Sequence, residues 1–319
     1  MRVVDMHCDT ISELAEKRKR GRNLGLRQNE LHVDLVRMKK SGYILQNFAL
    51  FVHCGKCSNP WEEVCTLFDI YHGEMEHNRD LIAPVLQYQD IRANEAEGRM
   101  SALLTVEEGA VCQGQLEKLH QLYHMGVRMM TLTWNYPNEL GYPNATDGRD
   151  RGLKDRGKIF VEEMQHMGMI VDVSHLSDAG FYDVWERASK PFVASHSNAR
   201  EICSSPRNLS DEMIRRLSQK GGCMGLNFYA DFLENVRPGK NNPGIIEAVV
   251  RHAKHIVKVG GIEVLGLGTD YDGMDTPKEL PGVQSMEHLW DAMHQQGFTA
   301  QQLDQIFEKN VLRVYGDIL

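Results

Sequence analysis

His7 and Asp9 stand two residues apart, just after the apolar pair Val3-Val4. Side chains alternate across a β-strand, so a histidine and a carboxylate at i and i+2 point the same way and can grip one metal ion. One such pair is weak evidence. Its weight grows because four further apolar runs end in similar residues: Glu107-Glu108, Ser174-His175, Ser195-His196 and Asp270-Tyr271-Asp272. Three imidazoles with several carboxylates suit zinc, and less exclusively manganese or iron. Three such groups hold one ion; five or more point to two, with a carboxylate between them. Two divalent ions roughly 3.5–4 Å apart polarise a carbonyl and share a hydroxide nucleophile, which is chemistry for hydrolysis, most naturally of an amide.

Residues so far apart in the chain meet only if the elements carrying them converge. Apolar and β-branched runs read as strands at 2–7, 44–52, 101–107, 127–132, 168–174, 191–195, 222–228 and 263–269. Helical periodicity fills the intervals, at 31–40, 61–78, 115–125, 155–167, 178–188, 210–220 and 244–259, and continues at 286–296 and 299–315. Eight strand–helix repeats are the pattern of a (β/α)8 barrel, an α/β fold that builds its active sites at the C-terminal ends of its strands. No low-complexity linker divides the chain, so residues 1–319 read as a single barrel domain. The Asn-, Gly- and Pro-rich stretch 134–152 has the length of a functional loop.

Composition narrows the partners. A hydrophobic content of 42% provides for a sizeable core, and a net charge of −8 argues against nucleic acid. The basic run Lys17-Arg18-Lys19-Arg20-Gly21-Arg22 is short and reads as a solvated loop. With no signal-peptide pattern, no membrane-length apolar run and an unpaired seven cysteines, a cytoplasmic protein without a membrane partner is expected. His53, Cys54, Cys57 and Cys65 could hold a structural zinc or a redox pair, but their spacing favours ordinary buried or loop thiols. The i,i+4 pair His120/His124 and the pair His252/His255 read as solvated helix faces, and the many methionines as core filler.

Taken jointly, the stretches "DMHCDT", "LLTVEEGA", "GVRMMTLTWN", "GMIVDVSHLS", "FVASHSNAR", "SSPRNL", "GLGTDYDG" and "FEKNVLRVYG" make the chain resemble the membrane (renal) dipeptidase family of zinc hydrolases, including its soluble bacterial members. They occur in the family's order and span essentially the whole chain. The resemblance implies a (β/α)8 barrel, usually a homodimer, with two zinc ions per chain and dipeptide substrates. It implies that His7 and Asp9 bind the first zinc, that Glu107 bridges both, and that His175 and His196 complete the second. Glu107 is preferred to Glu108 because the family's glutamate directly follows the apolar end of its strand. By the same match, Arg207 holds the substrate's C-terminal carboxylate, and Asp270 faces its amine and handles protons.

These roles are sound chemistry in their own right. A guanidinium fork suits a planar carboxylate, although Arg207 taken alone reads as a surface ion pair. Asp270 offers an ammonium a counter-charge and could pass a proton to the leaving amine. Asp272 and Gly273 read as residues shaping the turn after Asp270. One position departs from the family: where many members place a histidine after "TLT", this chain has Trp134. The substrate preference and the oxyanion-side contact are therefore open, as is acceptance of a D-residue at the C-terminal position. A different two-metal barrel hydrolase would carry two histidines on its first strand and a carboxylated lysine on its fourth. Here the first strand has His-x-Asp and "VRMMTLT" has no lysine. A barrel retained only for binding would show lost ligands, and all five are present.

Overall fold

The computed structural model describes residues 1–145, 148–235, 244–275 and 277–319; residues 146 and 147 of the 134–152 loop thus lie outside the described residues. Nine parallel strands form: β1 Val3–Asp5, β2 Tyr43–Phe51, β3 Ile82–Pro84, β4 Met100–Glu107, β5 Val127–Thr131, β6 Ile170–Asp172, β7 Val193–Ala194, β8 Cys223–Leu226 and β9 Leu265–Leu267. Eight of them pair in the cyclic order β2-β1-β9-β8-β7-β6-β5-β4, and β4 pairs back onto β2 to close the barrel. All eight expected runs contain a strand. The ninth, β3, falls outside them. At three residues it is too short for periodicity to reveal, and it pairs only with the N-terminal part of β4.

Both strand faces are buried, which is why the runs are almost continuously apolar rather than alternating. The faces separate inside the barrel. Val4, Leu45, Leu103, Met129, Ile170, Val193 and Cys223, one from each of seven strands, form a single cluster with Val311, Val314, Tyr315 and Ile318 of the final helix, Asn310–Ile318. That helix supplies the apolar plug for this inner core. Asn47 on β2 donates its amide N–H to the Tyr315 hydroxyl at 2.7 Å, giving that buried hydroxyl a partner. The expected helix at 299–315 is broken into Ala300–Asp304, a π turn at Gln305–Lys309, and Asn310–Ile318. Most of the remaining helices pack outside the strands on the larger apolar cluster.

Two expectations about surface charge have different outcomes. The basic run 17–22 is matched by glutamates, with Lys17–Glu13 at 2.8 Å and Lys19–Glu63 and Arg20–Glu16 at 2.7 Å, while Arg18 and Arg22 pair with Glu74 and Glu30. His120 is exposed and meets Glu163, as a solvated face should. His252 is the correction. It is fully buried, receives the Ala199 backbone N–H on Nδ1 at 3.0 Å, and reaches the Leu233 carbonyl through Nε2 at 3.0 Å. Its helical neighbour His255 is half-buried against Asp211. Among the described residues no helix is long and apolar enough to cross a membrane.

The buried histidine gives a test of the frame. His252→Leu keeps much of the volume but strands two backbone groups, so it should lower unfolding stability by about 1–3 kcal/mol. Urea denaturation measures this. A change below about 0.5 kcal/mol, the range of an ordinary surface substitution, would show that the two bonds contribute little.

Candidate active site

The first two expected ligands lie just beyond β1. The strand stops at Asp5, but extended pairing resumes at Cys8, which bridges to Tyr271, and Asp9 N–H donates to the Tyr271 carbonyl at 2.9 Å. Cys8 therefore packs outward into the core, while His7 and Asp9 on either side of it turn inward. Glu107 ends β4, and His175 and His196 follow β6 and β7. The five come together. His7 Nε2 lies 3.3 Å from Asp9 Oδ2 and 3.3 Å from Glu107 Oε2. The other Glu107 oxygen, Oε1, lies 3.0 Å from His175 Nε2 and 3.5 Å from His196 Nε2. Asp270 Oδ1 stands 3.8 Å from His7 Nε2. The donor atoms of His7, Glu107 and His196 all lie within 4.8 Å of one another, as do those of His7, Asp9 and Asp270.

The backbone is bent to achieve this. His175 and Asp270 sit in the left-handed region with φ of 67° and 65°, conformations that cost energy for residues other than glycine and gather at functional sites. Gly273 is needed for clearance: a Cβ there would stand 2.1 Å from Asp9 Oδ2. Two further buried carboxylates, absent from the sequence reading, brace the turns. Asp5 accepts the N–H groups of His7 and Thr269 and the Thr269 hydroxyl. Asp172 accepts the N–H groups of Ser174 and Ser195 and the hydroxyls of Thr131 and Ser195. Ser195 Oγ in turn lies 2.7 Å from His196 Nδ1, so a carboxylate–hydroxyl–imidazole chain orients that ring. Their sequence signal is an aspartate ending each apolar run, two or three residues before a histidine.

Glu108 points elsewhere. It is fully buried, has φ of 109°, and accepts the N–H groups of Ala110 and Trp134 and the Asn138 amide. It ties down the loop after β5. Asp272 likewise shapes its turn, accepting the Thr10 hydroxyl at 2.6 Å and the His32 N–H at 2.7 Å.

Above the cluster opens a cleft of about 1480 Å³, lined by Asp9, Glu107, His175, Asp270 and Trp134, among others. Trp134 stands 6.3 Å from the His175 ring. Asp270 Oδ2 accepts the Asn227 amide at 2.9 Å, leaving Oδ1 facing His7. Arg207 is not the surface residue that its type implies. It is buried, donates to Ser197 Oγ and the His196 carbonyl, and makes no ion pair among the described residues; its Nε has no partner. The guanidinium lies 5.4 Å from the ring of Phe232, a cleft residue. No metal-capable group forms around His53, Cys54, Cys57 and Cys65 among the described residues.

The electrostatics favour a cation. Burial pushes the Asp9 carboxyl up to about 7 against the pull of His7, and that of Asp270 up to about 6. Burial would lower His7, yet the charges of Glu107 and Asp9 carry it well above the ordinary imidazole value. Burial would raise Glu107, but His7 and the hydrogen bonds from His175 and His196 hold it well below the carboxylate range. Burial and the Arg207 charge push His175 down to about 4; burial and His7 push His196 down as well. His175 and His196, neutral beside the ionised Glu107, are in the protonation state that metal ligands require, and His7 would give up its proton to an ion. Buried His7 Nδ1 and Nε2 and Asp9 Oδ1 also lack hydrogen-bond partners, so the donor set fits one or more divalent ions.

The sequence pattern of the membrane dipeptidases, peptidase family M19, matches residues 1–318. The chain belongs to this family. It is accordingly a metallo-dipeptidase by class. An uncharacterized dipeptidase of Schizosaccharomyces pombe is 32% identical over 300 residues, covering 89% of this chain and 71% of the relative. The dipeptidase aclJ of Aspergillus oryzae is 30% identical over 297 residues, covering 90% and 70%. Among solved structures, a metallo peptidase from Rhodobacter sphaeroides, liganded with a phosphinate mimic of the dipeptide L-Ala-D-Ala, superposes with a TM-score of 0.90 at 24% identity, covering 100% of this chain and 99% of that one. The fold of this family member is thus that of a barrel metallopeptidase.

The adjacent glutamates should separate cleanly on mutation. Glu107→Gln should lose metal and nearly all activity, whereas Glu108→Gln, altering only a loop brace, should keep both within about tenfold. Elemental analysis alongside dipeptide turnover reads the two effects. The reverse ranking would mean that Glu108 is the ligand.

Proposed function

We propose that this chain hydrolyses the peptide bond of free dipeptides at a centre of two zinc ions held by His7, Asp9, Glu107, His175 and His196. The observation that carries this reading is the Glu107 carboxylate, whose two oxygens face different imidazoles, Oε2 toward His7 and Oε1 toward His175 and His196. When bound, two divalent ions supply Lewis-acid polarisation of the scissile carbonyl and a water made acidic near neutral pH. The chain's own residues position the substrate. Arg207, buried and without a carboxylate partner, holds the C-terminal carboxylate. Asp270, with Oδ2 fixed by Asn227, uses Oδ1 to meet the substrate ammonium and to return a proton to the leaving amine. Trp134 serves as a wall of the pocket beside His175 and selects among substrate side chains.

Zinc-supplemented protein should approach two ions per chain, and chelation should abolish hydrolysis across a dipeptide panel with L- and D-residues at the C-terminal position. A fully active enzyme saturated with one ion would sink the two-ion centre.

The carboxylate clamp has its own test. Arg207→Met removes the charge while keeping much of the length, and losing a charge-assisted pair of about 1.5–3 kcal/mol costs roughly tenfold to a hundredfold in kcat/KM. Free dipeptides should suffer this loss and C-terminally amidated ones should not. Equal losses on both would assign Arg207 a structural role.

A further inference from the structure

Outside the ligand cluster, two histidines line the cleft, and they differ in commitment. His32 receives the Asp272 N–H on Nδ1 at 3.0 Å. His53 makes no side-chain hydrogen bond among the described residues; its Nδ1 is shut off from solvent, which leaves Nε2 as the nitrogen a ligand can reach. Packing holds its ring instead. Trp134 lies 4.9 Å away, Tyr136 5.8 Å and Phe51 6.3 Å, all tilted or edge-on, and Phe51 meets Trp134 at 4.8 Å. The chain turns back just after β2 to place it: Lys56 N–H donates to the His53 carbonyl at 2.8 Å. Gly55 packs so closely that a Cβ would stand 3.2 Å from both His53 Cε1 and the Tyr136 ring. Phe51, His53 and Trp134 all line the cleft and, packed against one another, form one apolar wall of a slot with a single uncommitted polar edge.

We propose that this slot is a side-chain subsite for dipeptides bearing a planar side chain tipped with a hydrogen-bonding group, as in tyrosine. His53 is its polar contact, and the packed rings of Phe51 and Trp134 are its apolar wall. The inference rests on the dipeptidase reading and adds the substrate class to it. A flat ring packs well against aromatic faces at such tilts. The open Nε2 loses its contact with water when a ring packs over it, and regains a hydrogen bond only from a ligand with a polar tip. Phenylalanine fills the same slot but leaves that nitrogen unpaired, so the contrast between tyrosine and phenylalanine isolates His53.

The experiment measures kcat/KM of the zinc-loaded full chain for Tyr-Gly against Phe-Gly, and for Gly-Tyr against Gly-Phe, with metal content determined in parallel. The wild type should favour the tyrosine member of one pair by about five- to tenfold, the worth of one hydrogen bond; that pair identifies which residue enters the slot. His53→Phe should bring the ratio to within about twofold of unity at unchanged metal content, the smaller His53→Leu should do the same, and His53→Gln, which keeps a donor and an acceptor, should retain part of the preference. A wild-type ratio within about twofold of unity in both pairs, or a preference that survives loss of the imidazole, overturns the subsite. If the wild type hydrolyses no dipeptide at all, the dipeptidase reading falls and takes the subsite with it.

Discussion

Three carboxylates and three imidazoles are crowded together at one end of this barrel, and most of the local structure follows from that crowding. Like charges so close in a buried setting repel, and desolvation penalises each ionised form. Within the cluster, His7 and the hydrogen bonds from His175 and His196 hold Glu107 ionised, while burial raises the Asp9 and Asp270 carboxyls. The surrounding chain is shaped to hold it. His175 and Asp270 adopt left-handed backbone conformations, Gly273 leaves room for the Asp9 carboxylate, and Asp5 and Asp172 fix the turns that aim the histidines. A divalent ion relieves the same repulsion, which makes the unfavourable arrangement a functional one.

The barrel separates this end from the stabilising one. Its inner core is apolar and includes the last helix, where the Tyr315 hydroxyl accepts from the Asn47 amide among close-packed aliphatic side chains. The clustered carboxylates and imidazoles sit at or just beyond the C-terminal strand ends, where the backbone leaves the sheet and can bend. Stability and chemistry thus draw on different residues of the same strands. His252, far along the chain, belongs to the first group: it joins its helix to the backbone just past His196 through Ala199.

The cleft above the centre is divided in character. On the β7 to β9 side Asp270 and Phe232 line it, with the Asn227 amide bonded to Asp270 and the Arg207 guanidinium 5.4 Å from the Phe232 ring. The β2 and β5 side carries aromatic rings, among which Trp134 touches both the His53 cluster and His175. Glu108 connects this wall to the centre. Its neighbour Glu107 joins the ligand cluster, while its own carboxylate anchors the backbone of Trp134 and the loop beyond.

The sequence by itself determined the eight principal strands, the barrel they form and the polar residues at their ends. Those depend on short-range patterns: apolar runs, alternation across a strand, and the type of residue where a run stops. The His-x-Asp pair was legible even though β1 ends before it, because extended pairing through Cys8 preserves the alternation. Other properties were decided only by tertiary structure, since each depends on partners distant in the chain. Glu108 became a loop brace through Asn138, thirty residues on. Arg207 became a buried, unpaired cation rather than a surface one, and His252 a buried link rather than a solvated face, because of what packs over them. His53 was legible only as a neighbour of cysteines; its place in an aromatic slot comes from a loop without periodicity folding against Trp134 and Tyr136. Local pattern specifies which chemical groups reach the strand ends, but the burial and hydrogen-bond partners that set their charge and role exist only once the barrel closes.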